Sequence, residues 1–423
     1  MLGHSAGLDG VRREYVDRGG RTIRLLAAAS VTVWSIVLSF YLLTYRDALP
    51  EVMFGNDFVA FWTGASMVRH GEGSRLYDLD AQRSFQIRLR QEQAATEGMR
   101  EATGASPYWN PPPLALLVIP FTVMPAFWGY VAWTAAGLLF TVLAVALPLR
   151  RHPYRLPVVI VLLGFGAFAA TLTQGQVNWI FLLSLSLGML ALGEGRPYLG
   201  GMLLGLLWLK PQYASLFPLV FLMKGRWREL TGMVGMGALL GAISLAIIGV
   251  DGVETYLRSM ATVSGFHESP GTAVCPIEMV NWRALLLSFW PQIPEDAGRQ
   301  LVTALGLITA LLSLLVWSGP WDAASPRFPR QVLALLIATI VASPHSHFHG
   351  MLLLLAPVAF MAARSVGEAP YRRAWIAFLA GGYGLFFTFP PFRAPFALLL
   401  AMFAIAIVTI QSRVEGEVAP FAG

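Results

Sequence analysis

Three histidines fall on alternate positions of SPHSHFHG (343–350): His345, His347 and His349. Apolar runs flank them, VLALLIATIVA before and MLLLLAPVAF after, so titratable rings stand where the chain otherwise reads like lipid. Such rings can donate to a phosphate, orient a hydroxyl or ligate a metal. If the segment is extended, all three face one way; if it is helical, His345 and His349 share a face. Other polar groups interrupt apolar sequence in the same manner. Asp57 heads FVAFW, Gln176 and Asn178 lie in QGQVN (174–178), Lys210 and Gln212 in WLKPQ (208–212), and Arg283 in NWR (281–283). Tyr77 and Asp78 close GSRLYD (73–78). A carboxylate can take the proton of an attacking hydroxyl, and an ammonium, a guanidinium or an imidazole can steady negative charge on a leaving phosphate. Each also has a plainer role open to it. Asp57 can cap a helix, Asp78 can close a turn, Lys210 can snorkel, Arg283 can anchor an interfacial helix, and the amides can satisfy helix starts.

The elements that must position these residues are membrane helices. Of 423 residues, 56% are hydrophobic and 13% charged, about half the charged share of soluble domains. Apolar runs recur along the chain without the alternation of a membrane barrel, which makes it an all-α polytopic membrane protein. One cysteine, Cys275, leaves no internal disulfide and no thiolate metal cluster. The net charge of +6 is carried by arginines at helix ends, with no stripe suited to nucleic acid. The N-terminal apolar run follows an arginine-rich stretch and is too long for a cleaved signal, so it is expected to stay as an anchor.

Arginine placement predicts a single membrane domain over 1–423, with both termini in the cytoplasm and a cytoplasmic tail over 1–23. Spans are expected at 24–45, 126–149, 156–172, 177–193, 231–250, 299–318, 331–343, 350–364, 374–389 and 395–411. A proline-flanked segment at 113–124 lies at the interface, and 198–223 forms a hairpin broken at Lys210-Pro211. Two outer loops follow, 46–112 with interfacial helices and 251–298. On this map every unusual polar group falls on the outer side, and a cysteine placed at Ser346 should react from outside. Intramembrane ionisable groups are costly and mark function.

The stretch GNDFVAFWTGASMVRHGEGSRLYD (55–78) resembles the first outer loop of the GT-C glycosyltransferases, and more narrowly glycosyltransferase family 87, in its Asp57-Phe58, Phe61-Trp62, Gly73 and Leu76-Tyr77-Asp78. The likeness continues in order through YWNPPP (108–113), QGQVN, LKPQ, RWR (226–228), MVNWR (279–283) and SPHSHFHG. The commonest family form has two adjacent histidines after a tryptophan; here His347 stands at the tryptophan and Gly350 at the second histidine.

What the resemblance implies is a bundle of about 10–12 transmembrane helices, some short or broken, with a helical outer loop. It implies a hexosyltransferase that moves a sugar, plausibly mannose, from a polyprenyl-phosphate donor to a lipid or glycan acceptor at the outer face of the cytoplasmic membrane. Asp57 would be the catalytic base. Lys210, Arg283, His349, His345, His347, Gln176, Asn178, Gln212, Tyr77 and Asp78 would bind substrate. No cofactor and no metal ligand are assigned, and a need for a divalent ion stays open; zinc is the other use of three clustered histidines, here without accompanying acids. A transporter or flippase for a lipid-linked sugar is the alternative, since broken helices serve transporters too. The one-sided placement of the polar groups favours the enzyme.

Overall fold

The computed structural model describes residues 4–45, 57–97, 106–268, 274–364, 378, 380–388, 392–395 and 397–398. Helices α1 (His4–Tyr45), α2 (Phe58–Arg69), α3 (Leu79–Glu97), α4 (Pro112–Val118), α5 (Ala126–Ala146), α6 (Arg155–Leu163) and α7 (Gly166–Thr173) form the first half. They are followed by α8 (Asn178–Gly193), α9 (Pro197–Gly205), α10 (Pro211–Ala214), α11 (Phe217–Met223), α12 (Trp227–Val263), α13 (Trp282–Phe289), α14 (Glu295–Leu315), α15 (Arg327–Ala342) and α16 (Leu355–Arg364). Among the described residues the only β-type pairing is an isolated antiparallel bridge between Met279 and His347.

Among the described residues, four helices are long and apolar enough to cross a bilayer unaided: the 20–44 part of α1, α5, α12 and α14. Shorter apolar helices, Pro112–Phe121, Asn178–Gly193, Pro197–Leu209, Pro211–Met223 and Phe348–Ala363, carry most of the remaining apolar runs. The long spans expose apolar side chains such as Leu43, Val250 and Leu315 outward, as lipid-facing helices do. Of the short helices, Asn178–Gly193 is the most buried, whereas Pro197–Leu209 and Pro211–Met223 also expose apolar side chains such as Leu199 and Leu219. Residues 374–389 and 395–411, expected as two last spans, fall largely outside the described residues; 380–387 are helical.

Two expected boundaries differ. The span expected over 156–172 is two helices, α6 and α7, bent by 62°. Phe165 takes an extended backbone at the join, and the preceding Gly164 packs too closely on Ser30 for a larger residue to fit. The helix expected over 231–250 kinks at that end but does not stop. Gly249 adopts φ 68°, ψ −178°, a kink open to glycine, and α12 resumes to Val263. Residues 251–263, expected in the second outer loop, continue α12, and residues 295–298, expected at that loop's end, open α14.

The hairpin at 198–223 is broken where expected. A 3-10 turn, Leu206–Leu209, ends at Lys210, whose φ −134° and ψ 87° are non-helical. The residue before a proline is driven from the helical region, and Pro211 then opens α10 with no amide hydrogen to lose. The break turns Lys210 inward: it is 9% exposed.

Candidate active site

Asp57 stands at the N-cap position of α2, yet its carboxylate caps nothing; only its backbone carbonyl accepts from the Ala60 amide, at 3.0 Å. The helix-cap reading of this side chain is thereby set aside. Asn56, its expected companion, lies outside the described residues. The carboxylate turns instead to QGQVN, where Gln176 Nε2 donates to Asp57 Oδ2 at 2.5 Å.

The turn that offers Gln176 is built from aromatic contacts. Gly175 has φ 63°, and a Cβ there would lie 2.5 Å from that of Phe58. Its carbonyl accepts from Trp133 Nε1 at 2.9 Å, and the Leu172 carbonyl accepts from the Tyr130 hydroxyl at 2.8 Å. Phe58, next to the acid, packs edge-on against Tyr130 with ring centroids 5.3 Å apart. The stretches FVAFW and QGQ therefore meet because glycine lets α2 lie directly on the turn.

From Gln176 the polar chain continues inward. Lys210 Nζ donates to Gln176 Oε1 at 3.1 Å and to Asn178 Oδ1 at 3.4 Å, and Asn178 Nδ2 lies 2.6 Å from His349 Nδ1. Five residues from four separate parts of the chain thus form one hydrogen-bonded sequence: Asp57, Gln176, Lys210, Asn178, His349. Burial raises the Asp57 carboxyl above its ordinary range, opposed by the Gln176 hydrogen bond and the Lys210 charge. A carboxylate so placed is a stronger base than one in water, while the amide and ammonium keep its charged form accessible.

The histidine segment is extended at Ser343 and at His347, bends at Pro344 and His345 between them, and enters a 3-10 helix at Phe348. Neither of the two arrangements open from sequence holds throughout: His347 is extended, His345 lies in the bend and His349 in the 3-10 helix. The His345 and His347 centroids are 5.0 Å apart; those of His347 and His349 are 5.7 Å apart, with planes at 19°. Burial, then the Lys210, Arg283 and Arg393 charges, brings His347 down to about 4, and burial, then His347 beside it, lowers His345 well below its ordinary value. Both rings are neutral at pH 7. Beneath the segment, a Cβ on Gly350 would strike the Tyr213 hydroxyl. This is the physical reason the second histidine of the commoner motif has no room in this chain.

Arg283 is 2% exposed and takes part differently. Its Nε donates to the Phe266 carbonyl at 2.8 Å, and its two terminal nitrogens donate to His267 O at 3.2 Å and Pro344 O at 3.4 Å. It is a clamp between two backbone stretches. Asn281 supports the same junction: its Oδ1 accepts from the Ala284 amide at 3.0 Å as the cap of α13, and its Nδ2 donates to Ser343 O at 2.9 Å. The Val280 amide donates to Ser346 O at 2.8 Å. The NWR stretch therefore holds the histidine segment in place. Burial lowers Arg283 to about 10, still charged at neutral pH.

Three expected substrate contacts sit elsewhere. Tyr77 donates to the Asn110 carbonyl at 2.7 Å and packs on Tyr256 at 4.8 Å, fixing the segment before α3 to α12. Asp78 Oδ1 accepts from the amides of Asp80 at 3.0 Å and Ala81 at 3.1 Å, so it caps α3. The Ala81 bond, foremost, holds it below the usual carboxylate range. Gln212 is half-buried on α10, outside the hydrogen-bonded chain. Two residues that the motifs did not single out adjoin the site. Tyr213 lies under Gly350, and Arg393 places its guanidinium 5.9 Å from the Phe348 ring centroid. Among the described residues no group of three His, Cys, Asp or Glu side chains is arranged to hold a metal ion.

An all-α polytopic protein with a carboxylate, an ammonium and an imidazole joined in a buried chain is an integral membrane protein with an enzyme-like site. The sequence model of glycosyltransferase family 87 matches residues 108–344, more than half of the chain, and the protein belongs to that family. It is a membrane glycosyltransferase, acting on a sugar donor and an acceptor. The match includes Gln176, Asn178, Lys210 and Arg283; Asp57 and the three clustered histidines lie outside its limits. No curated protein and no solved structure matches the chain.

Proposed function

We propose that the protein transfers a hexose, mannose being the first to test, from a polyprenyl-phosphate sugar to a lipid or glycan acceptor. The reaction takes place at the outer face of the cytoplasmic membrane, with both termini inside. The observation that carries this reading is the Asp57 carboxylate turned away from its own helix and joined through Gln176 to the buried Lys210 ammonium. The acceptor hydroxyl oxygen forms a bond to the anomeric carbon as its proton passes to Asp57. The bond from that carbon to the phosphate oxygen breaks, and the polyprenyl phosphate leaves as a dianion. An ammonium has three protons, and two of those on Lys210 are committed to the amides. The third, with a neutral imidazole N–H, serves the charge growing on the leaving group. The lipid tail of such a donor suits a site whose short helices also carry exposed apolar side chains, such as Leu219 and Leu222. Cofactor and metal play no part in the proposed step.

The test is transfer by the purified protein in nanodiscs, supplied with polyprenyl-phosphate mannose, the corresponding glucose donor, and extracted membrane lipids or glycan acceptors. Sugar should move to one acceptor class, with free polyprenyl phosphate released in equal amount. Transmembrane movement of the intact donor in sealed vesicles without any release of polyprenyl phosphate would establish the flippase instead.

Sidedness has its own test. Ser346, the position that sequence offers for labelling, is 1% exposed, with its backbone carbonyl bonded to Val280, so a cysteine there is a poor probe. Cys275 is the chain's one cysteine, half-buried in the second outer loop. Burial, then the charges of Glu278 and Glu268, raises its thiol pKa, so labelling belongs at mildly alkaline pH. A membrane-impermeant maleimide should modify Cys275 in intact cells. Modification only after permeabilisation would invert the topology.

A further inference from the structure

Lys210 can only donate hydrogen bonds, and that one fact fixes the direction of every bond in the chain around it. Its Nζ lies 3.1 Å from one end of the Gln176 amide and 3.4 Å from one end of the Asn178 amide. Both ends must be oxygens, because an NH2 group there would set donor against donor in a site closed to water. The assignment of amide oxygen and nitrogen, ordinarily ambiguous, is settled here by the ammonium. Each amide then shows its NH2 to the next neighbour. Gln176 donates to Asp57 at 2.5 Å, which suits an ionised carboxylate. Asn178 presents its NH2 to His349 Nδ1 at 2.6 Å, and a ring nitrogen can meet an N–H donor only as an acceptor. Nδ1 of His349 is therefore bare.

We propose that Lys210 sets the proton positions at both ends of the site through two amides, and that His349 is held neutral with its proton on Nε2. Gln176 and Asn178 are on this view positioning residues, in place of the substrate contacts that the resemblance implies. One ammonium keeps an acid ready to accept a proton on one side and an imidazole ready to donate a hydrogen bond on the other. Asn178 is fully buried and His349 is 7% exposed, so water offers neither group an easy substitute for the other. The charged and titratable groups facing His349 are Lys210, His347 and His345. None is an acid, and so none favours a second proton on the ring. The Thr171 hydroxyl, at 3.3 Å from the His349 carbonyl, ties the same residue to α7 and limits its movement. The value of an Nε2–H donor to catalysis rests on the transferase reading above; the bond directions do not.

The experiment is long-range proton–nitrogen correlation on the full-length protein in nanodiscs, labelled with 15N-histidine. The seven histidines are resolved by the signal that His349→Gln removes. In the wild type, Nδ1 of His349 should appear unprotonated and Nε2 protonated near neutral pH. In Lys210→Met the Asn178 amide is free to turn over, and both tautomers should be present. In Asn178→Asp the new carboxylate can only accept, so Nδ1 should acquire a proton. A protonated Nδ1 in the wild type overturns the proposal, as does a His349 pattern unchanged in both variants. The wild-type spectrum decides alone should the variants fail to fold. It is recorded without substrate, so a missing transferase activity would leave it standing, and a wrong tautomer would leave the transferase reading standing.

Discussion

Asp57→Asn is expected to lower sugar transfer by about 10²- to 10⁴-fold, the usual contribution of a positioned general base. The substitution is nearly isosteric, and the asparagine carbonyl can still accept from Gln176 Nε2, which holds Asp57 at 2.5 Å. The α2 start should survive as well, since the Asp57 side chain does not cap it. The thermal midpoint in detergent should therefore stay near that of the wild type. Donor affinity should change little, and the loss should fall on turnover. Asp57 also sets a pH limit. Its folded pKa is raised, foremost by burial, so the reactive carboxylate is lost as pH falls through a value above the ordinary carboxylate range. The rate of the wild type should fall on that acidic limb, and the residual rate of Asp57→Asn should lack it. Turnover by the variant equal to the wild type would remove Asp57 from the chemistry.

Much of this site is legible in the sequence because polar residues in apolar surroundings are conspicuous. Asp57, Gln176, Asn178, Lys210 and His349 stand out one by one against runs of Leu, Val and Phe, and membrane burial of such groups demands partners. What periodicity could not supply was who the partners are. Arg283 shows the difference. It has the charge for a phosphate, but Phe266, His267 and Pro344 turn their carbonyls to it, and no local pattern announces three carbonyls from two loops. Asp78 and Tyr77 belong to a family-like motif, yet their contacts are a helix cap and a loop anchor. The helix map failed in a similar place. Hydropathy averages over a window, so it cannot see the 62° bend between α6 and α7 or the continuation of α12 past Gly249. The Lys210-Pro211 break was readable because its cause is local: a proline constrains the residue before it whatever the surroundings.

Lys210→Met should act on the rate and on the pH profile together, which separates it from a simple loss of packing. The side chain is buried and its ammonium faces two amide oxygens. Methionine fills similar space without a charge, but it leaves the two amide oxygens without their donor and the buried Asp57 without its cation, and removing one partner of a buried charge pair is destabilising. The thermal midpoint is accordingly expected to fall. Transfer should fall as well, by about 10²- to 10³-fold, the scale of losing one fixed donor to a developing negative charge. Lys210 also favours the ionised form of Asp57. Without it the Asp57 pKa rises further, and the acidic limb of kcat/KM should move to higher pH. Lys210→Arg keeps the charge and should keep the limb near its wild-type position, even if its planar head fits the two amides less well. A variant with a lowered rate but an unmoved limb would uncouple Lys210 from Asp57. It would leave the ammonium acting on the leaving phosphate alone.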